Sequence, residues 1–379
     1  MKNKINVIHV FGSLNVGGAE SRMMDIYRKI DENKVNFDFV SLDLSENQYY
    51  EEEIKLRGGN INKVNSPREI GVLSHLKELI KIFKVNNDNG KLIIHAHTLH
   101  HCGLVMLAAK LSKVKIRISQ SRNTKTQHTN IKSRITVFIG KILISVFATE
   151  MIAITKESAD YLFFKKYIKN KKVKIVPNAI DLDKYKNISK EEIIKLKKQY
   201  NISSDYNVIG HVGRFEKMKN HKFLIDLFFH YNKLNPNSIL VLIGDGTLKK
   251  PMKKLVQDLG LNNNVTFLGI RSDVYLWMNI FDVVLLPSLF EGLPGVASEA
   301  QAAGTPCVLS DNITAKSDLG IGLLRYLSIT GDKDDWVKGI NYSLKIKTPS
   351  FSLIESKFDQ KNLSLNKGIE ALNKIYKIN

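Results

Sequence analysis

The sequence predicts an α/β protein built from two Rossmann-like domains, each with a doubly wound parallel sheet. Three observations support this prediction. At 379 residues the chain is longer than a single hydrophobic core usually organises. Apolar runs of strand length alternate with longer amphipathic segments, as expected for strands joined by helical crossovers. This alternation stops near the middle of the chain and then starts again.

The first half contains five apolar runs that we interpret as buried parallel strands. They span residues 5–11, 37–44, 91–98, 115–121 and 151–155. The segments between them have helical periodicity, and Ala19, Met23, Ile26 and Ile30 share one face of a predicted helix. Repeats of strand, helix and strand indicate a doubly wound sheet.

The second half repeats the pattern and predicts a second Rossmann-like domain. Its apolar runs span residues 208–215, 238–246, 264–270, 282–288 and 305–310. Between the halves, residues 176–185 combine a proline, turn-forming Asn and Asp, and a break in the apolar pattern. We place the boundary there, which gives domains of residues 1–183 and 184–352.

The composition is that of a globular protein. With 43% hydrophobic and 25% charged residues, the chain is neither disordered nor fibrous in character. The formal net charge of +20 is compatible with nucleic acid, an anionic membrane or anionic substrates. Charge alone does not choose among these partners. Most of the excess is Lys in a chain also rich in Asn and Ile, which resembles a genome-wide compositional bias, so we give the net charge little weight.

Cysteine usage and apolar stretches bear on the cellular location. Cys102 and Cys307 lie far apart without a neighbouring ligand set, so we expect no disulfide framework and no zinc site. The first apolar run is too short for a signal-peptide core. The longest apolar stretch, residues 135–154, is interrupted by Lys141 and Glu150, which argues against a transmembrane helix. We expect a cytoplasmic protein, or one that is peripheral on the inner face of the cell membrane.

Parallel sheets bind ligands beyond the carboxyl ends of their strands, so residues that follow each strand are candidates. After the first strand, Gly17 and Gly18 precede a helix, where small residues let backbone amides approach an anion such as phosphate. The dinucleotide fingerprint is not met, because its second and third glycines are missing. The alternative is a tight turn.

A second candidate follows the run at 208–215. Arg214 offers a planar fork and Lys219 a point charge, and together they could hold a diphosphate. The alternative is a solvated loop in a Lys-rich protein. An arginine beside Gly213 at the end of a strand favours the ligand site.

A third candidate spans residues 288–299. Gly292, Pro294 and Gly295 keep Glu291 in a loop and start a helix, which places Glu299 about one turn inside it. Two carboxylates there can accept hydrogen bonds from sugar and ribose hydroxyls, while the helix amides face the same anionic ligand. The alternative is a pair of ordinary acids favoured by the helix dipole.

Histidines mark a fourth candidate, with His95 and His97 at the end of a strand and His100 and His101 behind them. Such a cluster suggests a metal. However, His95 and His97 alternate with apolar residues, and no nearby carboxylate or cysteine completes a ligand set. We therefore expect no metal here and instead a polar contact that faces a cleft.

Five motifs together resemble a known family. In chain order they are GGAE, GRFEKMKNH, GDG, FLGIRSDV and PSLFEGLPGVASEAQAAGTPCVLSD. Their order and spacing resemble family 4 retaining glycosyltransferases of the GT-B fold, over nearly the whole chain, and most closely those of bacterial capsule, exopolysaccharide or O-antigen synthesis. The resemblance implies two Rossmann-like domains facing across a cleft, the first binding the acceptor and the second the nucleotide sugar. It also implies a last helix, within residues 353–379, that returns to the first domain.

The resemblance implies roles for the candidate residues. Arg214 and Lys219 would hold the donor diphosphate and, with Glu291, take part in catalysis. Glu299 would bind the ribose hydroxyls, and the Ile270-Arg271 loop would lie against the base. The implied donor-binding set is Gly17, Gly18, Arg214, Lys219, Ile270, Arg271, Glu291, Gly292, Leu293, Pro294, Gly295, Val296 and Glu299.

On the acceptor and sugar side, the resemblance points to His97. The chain departs from the family at Gln120-Ser121-Arg122-Asn123, where relatives often carry a histidine in a motif such as HSHN. The resemblance therefore does not supply the contact that this histidine would make with the donor sugar. Arg122 would meet an anionic acceptor or cover the cleft wall.

The expected reaction is attack of an acceptor hydroxyl on the anomeric carbon, with departure of a nucleoside diphosphate whose charge Arg214, Lys219 and helix amides offset. Retention of configuration and UDP as the donor base follow from the resemblance alone. Asp181 and Asp183 imitate the metal-binding acidic triplet of other transferases, but they lie in the interdomain linker. We expect no metal and no cofactor.

The acceptor is less clearly encoded. Basic and aromatic residues interleave at 161–174, and residues 131–147 form an amphipathic segment. These segments could dock the first domain on an anionic membrane, which would fit a hexose or N-acetylhexosamine transferred to a lipid-linked glycan. The alternative is a core helix beside a solvated Lys face.

Other function classes remain open. A nucleotide-sugar epimerase or hydrolase of similar fold would bind the same donor, but it would need a catalytic acid and base that the sequence does not display. A nucleic-acid-binding protein would fit the charge, yet no helix-turn-helix, zinc finger or aromatic ribonucleoprotein motif is present. An oxidoreductase would need the GxGxxG turn with its acidic ribose partner.

Overall fold

The structure is a computed structural model that describes residues 4–87, 90–122, 131–170 and 172–378, without the side chain of Lys132. The chain forms two compact units. Unit 1 comprises Met1–Ala179 with Leu365–Asn379, and unit 2 comprises Ile180–Ser364. The chain therefore leaves unit 1 a few residues before the boundary placed at residue 183.

Unit 1 contains a parallel sheet of seven strands in the order β3-β2-β1-β4-β5-β6-β7. The strands are β1 (Ile5–Phe11), β2 (Val35–Ser41), β3 (Ile61–Lys63), β4 (Leu92–Ala96), β5 (Ile116–Ser121), β6 (Glu150–Ala153) and β7 (Val173–Ile175). The helices between them are α1 (Gly18–Lys29), α2 (Glu51–Leu56), α3 (Pro67–Ile70), α4 (Val72–Val85), α5 (Cys102–Leu111), α6 (Ile131–Phe147), α7 (Lys156–Leu162) and α8 (Lys165–Lys169). The strand order reverses between β1 and β4.

Unit 2 contains a parallel sheet of six strands in the order β10-β9-β8-β11-β12-β13. The strands are β8 (Asn207–Val212), β9 (Ser238–Ile243), β10 (Val265–Gly269), β11 (Val283–Leu286), β12 (Cys307–Ser310) and β13 (Leu324–Leu327). The helices are α9 (Asp183–Lys186), α10 (Lys190–Gln199), α11 (His221–Leu234), α12 (Lys249–Asp258), α13 (Val274–Ile280), α14 (Gly295–Ala303), α15 (Lys333–Ser343) and α16 (Phe351–Gln360). The order reverses between β8 and β11, as in a Rossmann fold.

The predicted fold class is confirmed, because both sheets are parallel and each has buried apolar side chains on its two faces. In unit 1, Phe37 lies in the cluster on one face and Phe83 in the cluster on the other. In unit 2, Trp277 and Trp336 belong to the two corresponding clusters. Each unit thus has its own core, as expected of an independent α/β domain.

The C-terminal segment differs from the single helix predicted from Leu353 to Tyr376. Helix α16 packs in unit 2, where Ile354 and Phe358 are buried. A second helix, α17 (Leu365–Tyr376), belongs to unit 1, where Leu372 and Tyr376 are buried. The chain turns at Asn362, which has a positive φ of 56°. The apolar residues of both helices have helical spacing, so the pattern alone could not show the break between them.

Among the described residues, no helix is long and apolar enough to cross a membrane. Cys102 and Cys307 are both buried free thiols, as expected from their isolation in the sequence.

Candidate functional site

The predicted site residues Arg214 and Lys219 follow the carboxyl end of β8, and Glu291 follows that of β11. These strands are neighbours at the point where the strand order reverses, and a ligand crevice opens there in doubly wound sheets. The loops after the two strands are joined, since the Leu289 amide donates to the Met218 carbonyl at 2.8 Å. The Asn220 side-chain amide also donates to the Pro287 carbonyl at 3.2 Å.

Lys219 and Glu291 form an ion pair within these loops. Lys219 Nζ lies 2.8 Å from Glu291 Oε1, and the two side chains are only 13% and 10% exposed. The Ser288 hydroxyl donates to the same carboxylate oxygen at 2.5 Å. Because water is largely excluded, this pair is screened less than a surface salt bridge. Gly213 makes room for it, since a Cβ there would lie 3.2 Å from the Lys219 stem.

The loop that carries Arg214 is shaped by two glycines of the GDG motif. Gly244 and Gly246 have φ values of 136° and 154°. A Cβ at Gly244 would lie 2.1 Å from the Gly213 carbonyl oxygen, and one at Gly246 would lie 2.7 Å from the Phe215 amide nitrogen. The close approach of the two loops therefore requires glycine at both positions. Arg214, which lies between Gly213 and Phe215 in this loop, is exposed.

Residues 292–296 comprise the end of the loop before α14 and the first two residues of that helix. Pro294 is the residue before the helix, and no side chain caps the helix start within the described chain. The first amides of α14 are therefore oriented toward the loop with the positive end of the helix dipole behind them. Glu299 is the fifth residue of this helix and is half-buried.

The loop after β10 contains the residues predicted to contact a base. The Arg271 guanidinium donates to Asp273 through Nε at 2.7 Å and to the Tyr200 hydroxyl through Nη1 at 2.8 Å. Hydrogen bonds to Asp273 raise the pKa of Arg271. Since Arg271 is engaged within the protein, the side chain available for a base is that of Ile270, which is 56% exposed.

Two buried histidines near Lys219 were not identified from the sequence. Burial, together with the positive charge of Lys219, lowers the pKa of His211 to about 4 and that of His221 to about 2. His211 Nδ1 lies 2.7 Å from the Leu285 carbonyl oxygen, so it donates to that oxygen. Both imidazoles are neutral at physiological pH. The signal in the sequence was His211 within a strand otherwise made of apolar residues.

In unit 1, Gly17 and Gly18 lie at the start of α1, after β1. Neither glycine has a positive φ, so a tight turn does not require them. A Cβ at Gly18 would meet no atom within 4 Å, whereas one at Gly17 would meet the flexible Glu20 carboxylate. Gly17 therefore accommodates the Glu20 carboxylate of the first helical turn.

The histidine candidates of unit 1 form a buried cluster with a third member. His9 of β1 pairs in register with His95 of β4, so their side chains share a sheet face with His97. The Arg122 guanidinium Nε donates to His97 Nδ1 at 3.3 Å, and His97 Nε2 lies 3.1 Å from His9 Nδ1. His97 therefore donates through Nε2 to His9, whose own proton is on Nε2. His95 Nδ1 lies 2.8 Å from the Tyr376 hydroxyl.

These imidazoles are neutral. Burial lowers the pKa of His95 to about 3 and holds the pKa values of His9 and His97 well below their ordinary value. Burial also lowers the pKa of Arg122 to about 10, so its guanidinium stays charged. Arg122 is held by Asn178 Oδ1 at 2.8 Å and Gln120 Oε1 at 3.0 Å. Asn123, the last residue of that motif, lies outside the described residues.

The histidine cluster also has the composition of a metal site. One nitrogen from each of His9, His95 and His97 lies within 4.8 Å of the others, whereas the sequence pattern had indicated only two of the three. A cation at this position would face the fixed positive charge of Arg122, which is hydrogen-bonded to His97. The electrostatic surroundings therefore suit a neutral polar cluster better than a metal.

The acidic residues of the linker, Asp181 and Asp183, belong to unit 2. Asp181 is buried, and Asp183 is the first residue of the short helix α9.

Comparison with known proteins identifies the family. A family model described as "Glycosyltransferase Family 4" matches residues 16–184, and one described as "Glycosyl transferases group 1" matches residues 192–357. A Bacillus subtilis protein named as the glycosyltransferase EpsF is 34% identical over 377 residues, which covers 98% of this chain and 96% of that protein. The chain belongs to the family 4 glycosyltransferases.

Two further relatives extend this comparison. An Escherichia coli enzyme named UDP-Gal:alpha-D-GlcNAc-diphosphoundecaprenol alpha-1,3-galactosyltransferase is 29% identical and covers 64% of each chain. The solved structure of Anabaena Alr3699/HepE in complex with UDP-glucose has a TM-score of 0.77 at 18% identity, and the match covers 98% of this chain and 99% of that one. The GT-B fold class of this glycosyltransferase is thereby confirmed.

Within unit 2 of the glycosyltransferase, the structure brings Lys219, Glu291 and the start of α14 together. Within unit 1 it brings His97 and Arg122 together. To these it adds Ser288, His211 and His221 in unit 2 and His9 in unit 1. For His9 and His211 the sequence signal was a histidine within a largely apolar strand. Nothing in the spacing of these residues showed which side chains would be in contact.

Proposed function

We propose that this glycosyltransferase transfers a hexose or N-acetylhexosamine from a UDP-sugar to a lipid-linked glycan in the synthesis of a bacterial surface polysaccharide. The reaction proceeds with retention of configuration and without a metal ion. The observation that carries this proposal is the largely enclosed Lys219–Glu291 ion pair at the carboxyl ends of β8 and β11. Such a pair offers a cation to phosphate and a carboxylate to a sugar at one place.

Lys219, Arg214 and the first amides of α14 supply the positive charge that a diphosphate needs. An ammonium group has three donors, so Lys219 can keep its bond to Glu291 and reach a phosphate oxygen. Arg214 is exposed in the same loop after β8 and can offer bidentate hydrogen bonds. Two fixed cations and a helix dipole take the place of a divalent ion as the leaving diphosphate gains charge.

The chemical step exchanges one bond for another at the anomeric carbon. The acceptor hydroxyl oxygen forms a bond to this carbon while the bond from the carbon to the diphosphate oxygen breaks. The hydroxyl proton passes to an oxygen of the departing phosphate, on the face that the leaving group vacates. Glu291 accepts hydrogen bonds from sugar hydroxyls and orients the ring.

The nucleoside would lie along α14 and the loop after β10. The half-buried Glu299 is a suitable acceptor for two ribose hydroxyls. Ile270 offers an apolar face for a base, and Arg271 fixes the loop through Asp273 and Tyr200. The choice of UDP follows the uridine nucleotides named for the Escherichia coli relative and the Anabaena structure.

The acceptor would be a glycan on a lipid diphosphate, as in the name of the Escherichia coli relative. Arg122 keeps its charge although it is partly buried, so it can attract an anionic group of the acceptor. His97 is neutral and hydrogen-bonds to Arg122 and His9 through its two ring nitrogens, so it would act on the acceptor side by positioning Arg122.

Thermal unfolding of the purified protein with nucleoside diphosphates and their sugars tests the donor assignment. We expect UDP and one UDP-sugar to raise the melting temperature, because a ligand that binds only the folded state stabilises it. The shift should persist in EDTA. A shift that EDTA abolishes would contradict metal independence, and a shift with ADP or GDP alone would contradict the choice of UDP. Release of free sugar at full rate without an acceptor would instead indicate a hydrolase.

A further inference from the structure

Helix α6 of unit 1 is apolar on both of its faces. Its inner face packs closely on the segment before it. A Cβ at Gly140 would lie 2.4 Å from the His100 carbonyl oxygen, and one at Gly103 of α5 would lie 2.8 Å from the Gly140 carbonyl oxygen. Ile144 on the same face is 1% exposed. The packing of α6 in the core therefore uses its inner face only.

The outer face of α6 is exposed. Six large apolar side chains there are between 41% and 74% exposed. Their spacing of three, four or eight positions places them in one stripe along the helix. This α6 patch consists of Ile131, Ile135, Phe138, Ile139, Ile142 and Val146. Contiguous exposed apolar surface of this kind marks an interaction site rather than ordinary surface composition.

Basic residues border the α6 patch. Helix α6 carries Arg134 and Lys141 and no acidic residue. The Phe138 ring meets the Phe164 ring edge to face at a centroid distance of 6.0 Å, and this contact joins the patch to the segment that contains α8. The exposed basic side chains of that segment are Lys165, Lys166, Lys169, Lys172 and Lys174. Residues 161–174 also contain no acidic residue.

We propose that the α6 patch docks unit 1 on an anionic lipid bilayer, with α6 lying in the plane of the interface. Apolar side chains on one face would enter the boundary between headgroups and acyl chains, and the bordering Lys side chains would reach the anionic headgroups. Each such lysine adds to the attraction of a negatively charged leaflet.

The charge distribution favours a bilayer over a second copy of this chain. The protein has a formal net charge of +20, and the surroundings of the patch are basic. Two copies facing each other through this surface would bring like charges together, whereas an anionic bilayer is complementary to both the apolar stripe and the basic border. This inference concerns unit 1 and does not depend on the proposed donor site in unit 2.

Vesicle cosedimentation tests the proposal. The full-length protein should bind vesicles of equal parts phosphatidylglycerol and phosphatidylcholine, and should bind pure phosphatidylcholine vesicles much less. Replacing Phe138 and Ile142 together by Ser should lower binding at least about tenfold, because two apolar anchors are lost. The matched control replaces Val72 and Leu73 of α4 by Ser, since both are exposed apolar residues of the same unit, and should bind as the wild type does.

A second pair of variants tests the basic border. Lys165→Gln with Lys166→Gln should weaken binding to anionic vesicles and reduce its dependence on salt. Lys77→Gln with Lys81→Gln removes the same charge from exposed positions of α4 and should have a smaller effect. An unchanged thermal unfolding transition without ligand would show that each variant is folded.

Three outcomes would overturn the proposal. These are equal binding to neutral and anionic vesicles, unchanged binding after the serine replacements in α6, and absence of vesicle binding altogether. If sedimentation shows a dimer that the same serine replacements convert to monomer, the patch is an interface between copies. Because UDP stabilisation is measured separately, failure here is distinguishable from failure of the donor assignment.

Discussion

At the residue scale, the main feature of unit 2 is that Lys219 and Glu291 depend on each other. Each is a charged group with little exposure, and each is the other's ion-pair partner at 2.8 Å. Removing one member of such a pair leaves the other buried without compensation, which costs more than the pair itself contributes. A substitution here therefore changes stability and catalysis together, and an experiment must separate the two.

Lys219→Ala should lower sugar transfer at least about a hundredfold, because a cation that offsets the leaving diphosphate is lost. It should also lower the melting temperature, since Glu291 remains buried with Ser288 as its hydrogen-bond donor. Combining it with Glu291→Gln should restore the melting temperature but not transfer. The measurements are initial rates with a UDP-sugar and thermal unfolding.

Lys217→Ala is the matched control, because Lys217 is an exposed lysine of the same loop. It should retain both activity and stability. If Lys217→Ala and Lys219→Ala reduced transfer equally, the loop's general charge rather than the buried pair would be responsible.

At the scale of elements, loops and helix starts form the site, while strands fix their positions. The carboxyl ends of β8 and β11 meet because these strands pair in parallel, with Val283 opposite Ile209. The loop after β9 then packs on the loop after β8 through Gly244 and Gly246. The GDG motif thus packs against the loop that carries Arg214 and holds it in place, without having to contact the donor itself.

Gly244→Ala should destabilise the protein by about 3 kcal/mol or more, since a positive φ and a close backbone contact both oppose a side chain. It should also weaken UDP binding, because the Arg214 loop must shift to relieve the contact with the Gly213 carbonyl oxygen. Denaturant unfolding and calorimetric titration with UDP measure the two effects.

The variant Gly260→Ala separates the effect of a positive φ from the effect of a close contact with the backbone. Gly260 has a positive φ of 70°, but a Cβ there would meet no atom within 4 Å. It should cost about 1 kcal/mol and leave UDP binding unchanged. Equal losses of UDP affinity in both variants would contradict a supporting role for Gly244.

The elements also show where sequence patterns lose information. Strands β3, β7 and β13 were not predicted from the sequence. They have three or four residues each and lie at or near sheet edges, and their side chains are mostly half-buried or exposed. Short strands with mixed exposure carry little apolar periodicity, whereas the fully buried β9 was evident from its six consecutive buried residues.

At the scale of the whole molecule, the chain buries many histidines in neutral form. Among the described residues, burial lowers the pKa of seven histidines, and for several the value is about 4 or below. They are His9, His75, His95, His97, His101, His211 and His221. Five of them belong to unit 1 and two to unit 2, so both units are sensitive to acid.

The free energy of unfolding should therefore fall steeply in mild acid. Above the ordinary histidine pKa of 6.5, these groups are neutral in both states and have no effect. Below it, the unfolded chain takes up protons that the folded chain cannot bind until the pH reaches the lowered values. Each group then contributes a loss of up to about 1.4 kcal/mol per pH unit. Denaturant unfolding between about pH 7.5 and pH 5 measures the slope.

His221→Gln should flatten this dependence, because it removes one group whose pKa is strongly lowered. His230→Gln is the control, since His230 is an exposed residue paired with Asp334. A free energy of unfolding that stays constant down to pH 5 would contradict the burial of these seven histidines in neutral form.

The sequence by itself determined the α/β class, the two parallel sheets and the family, because buried strands are apolar throughout and the motifs follow them in order. It also suggested Lys219, Glu291 and His97 as candidates, since polar residues at strand ends stand out against apolar runs. Only the tertiary structure decided that Lys219 pairs with Glu291, that His9 joins His95 and His97, and that the C-terminal segment divides between the units. These features depend on which strands become neighbours and on which side chains then lose water, and both depend on contacts between residues far apart in the chain.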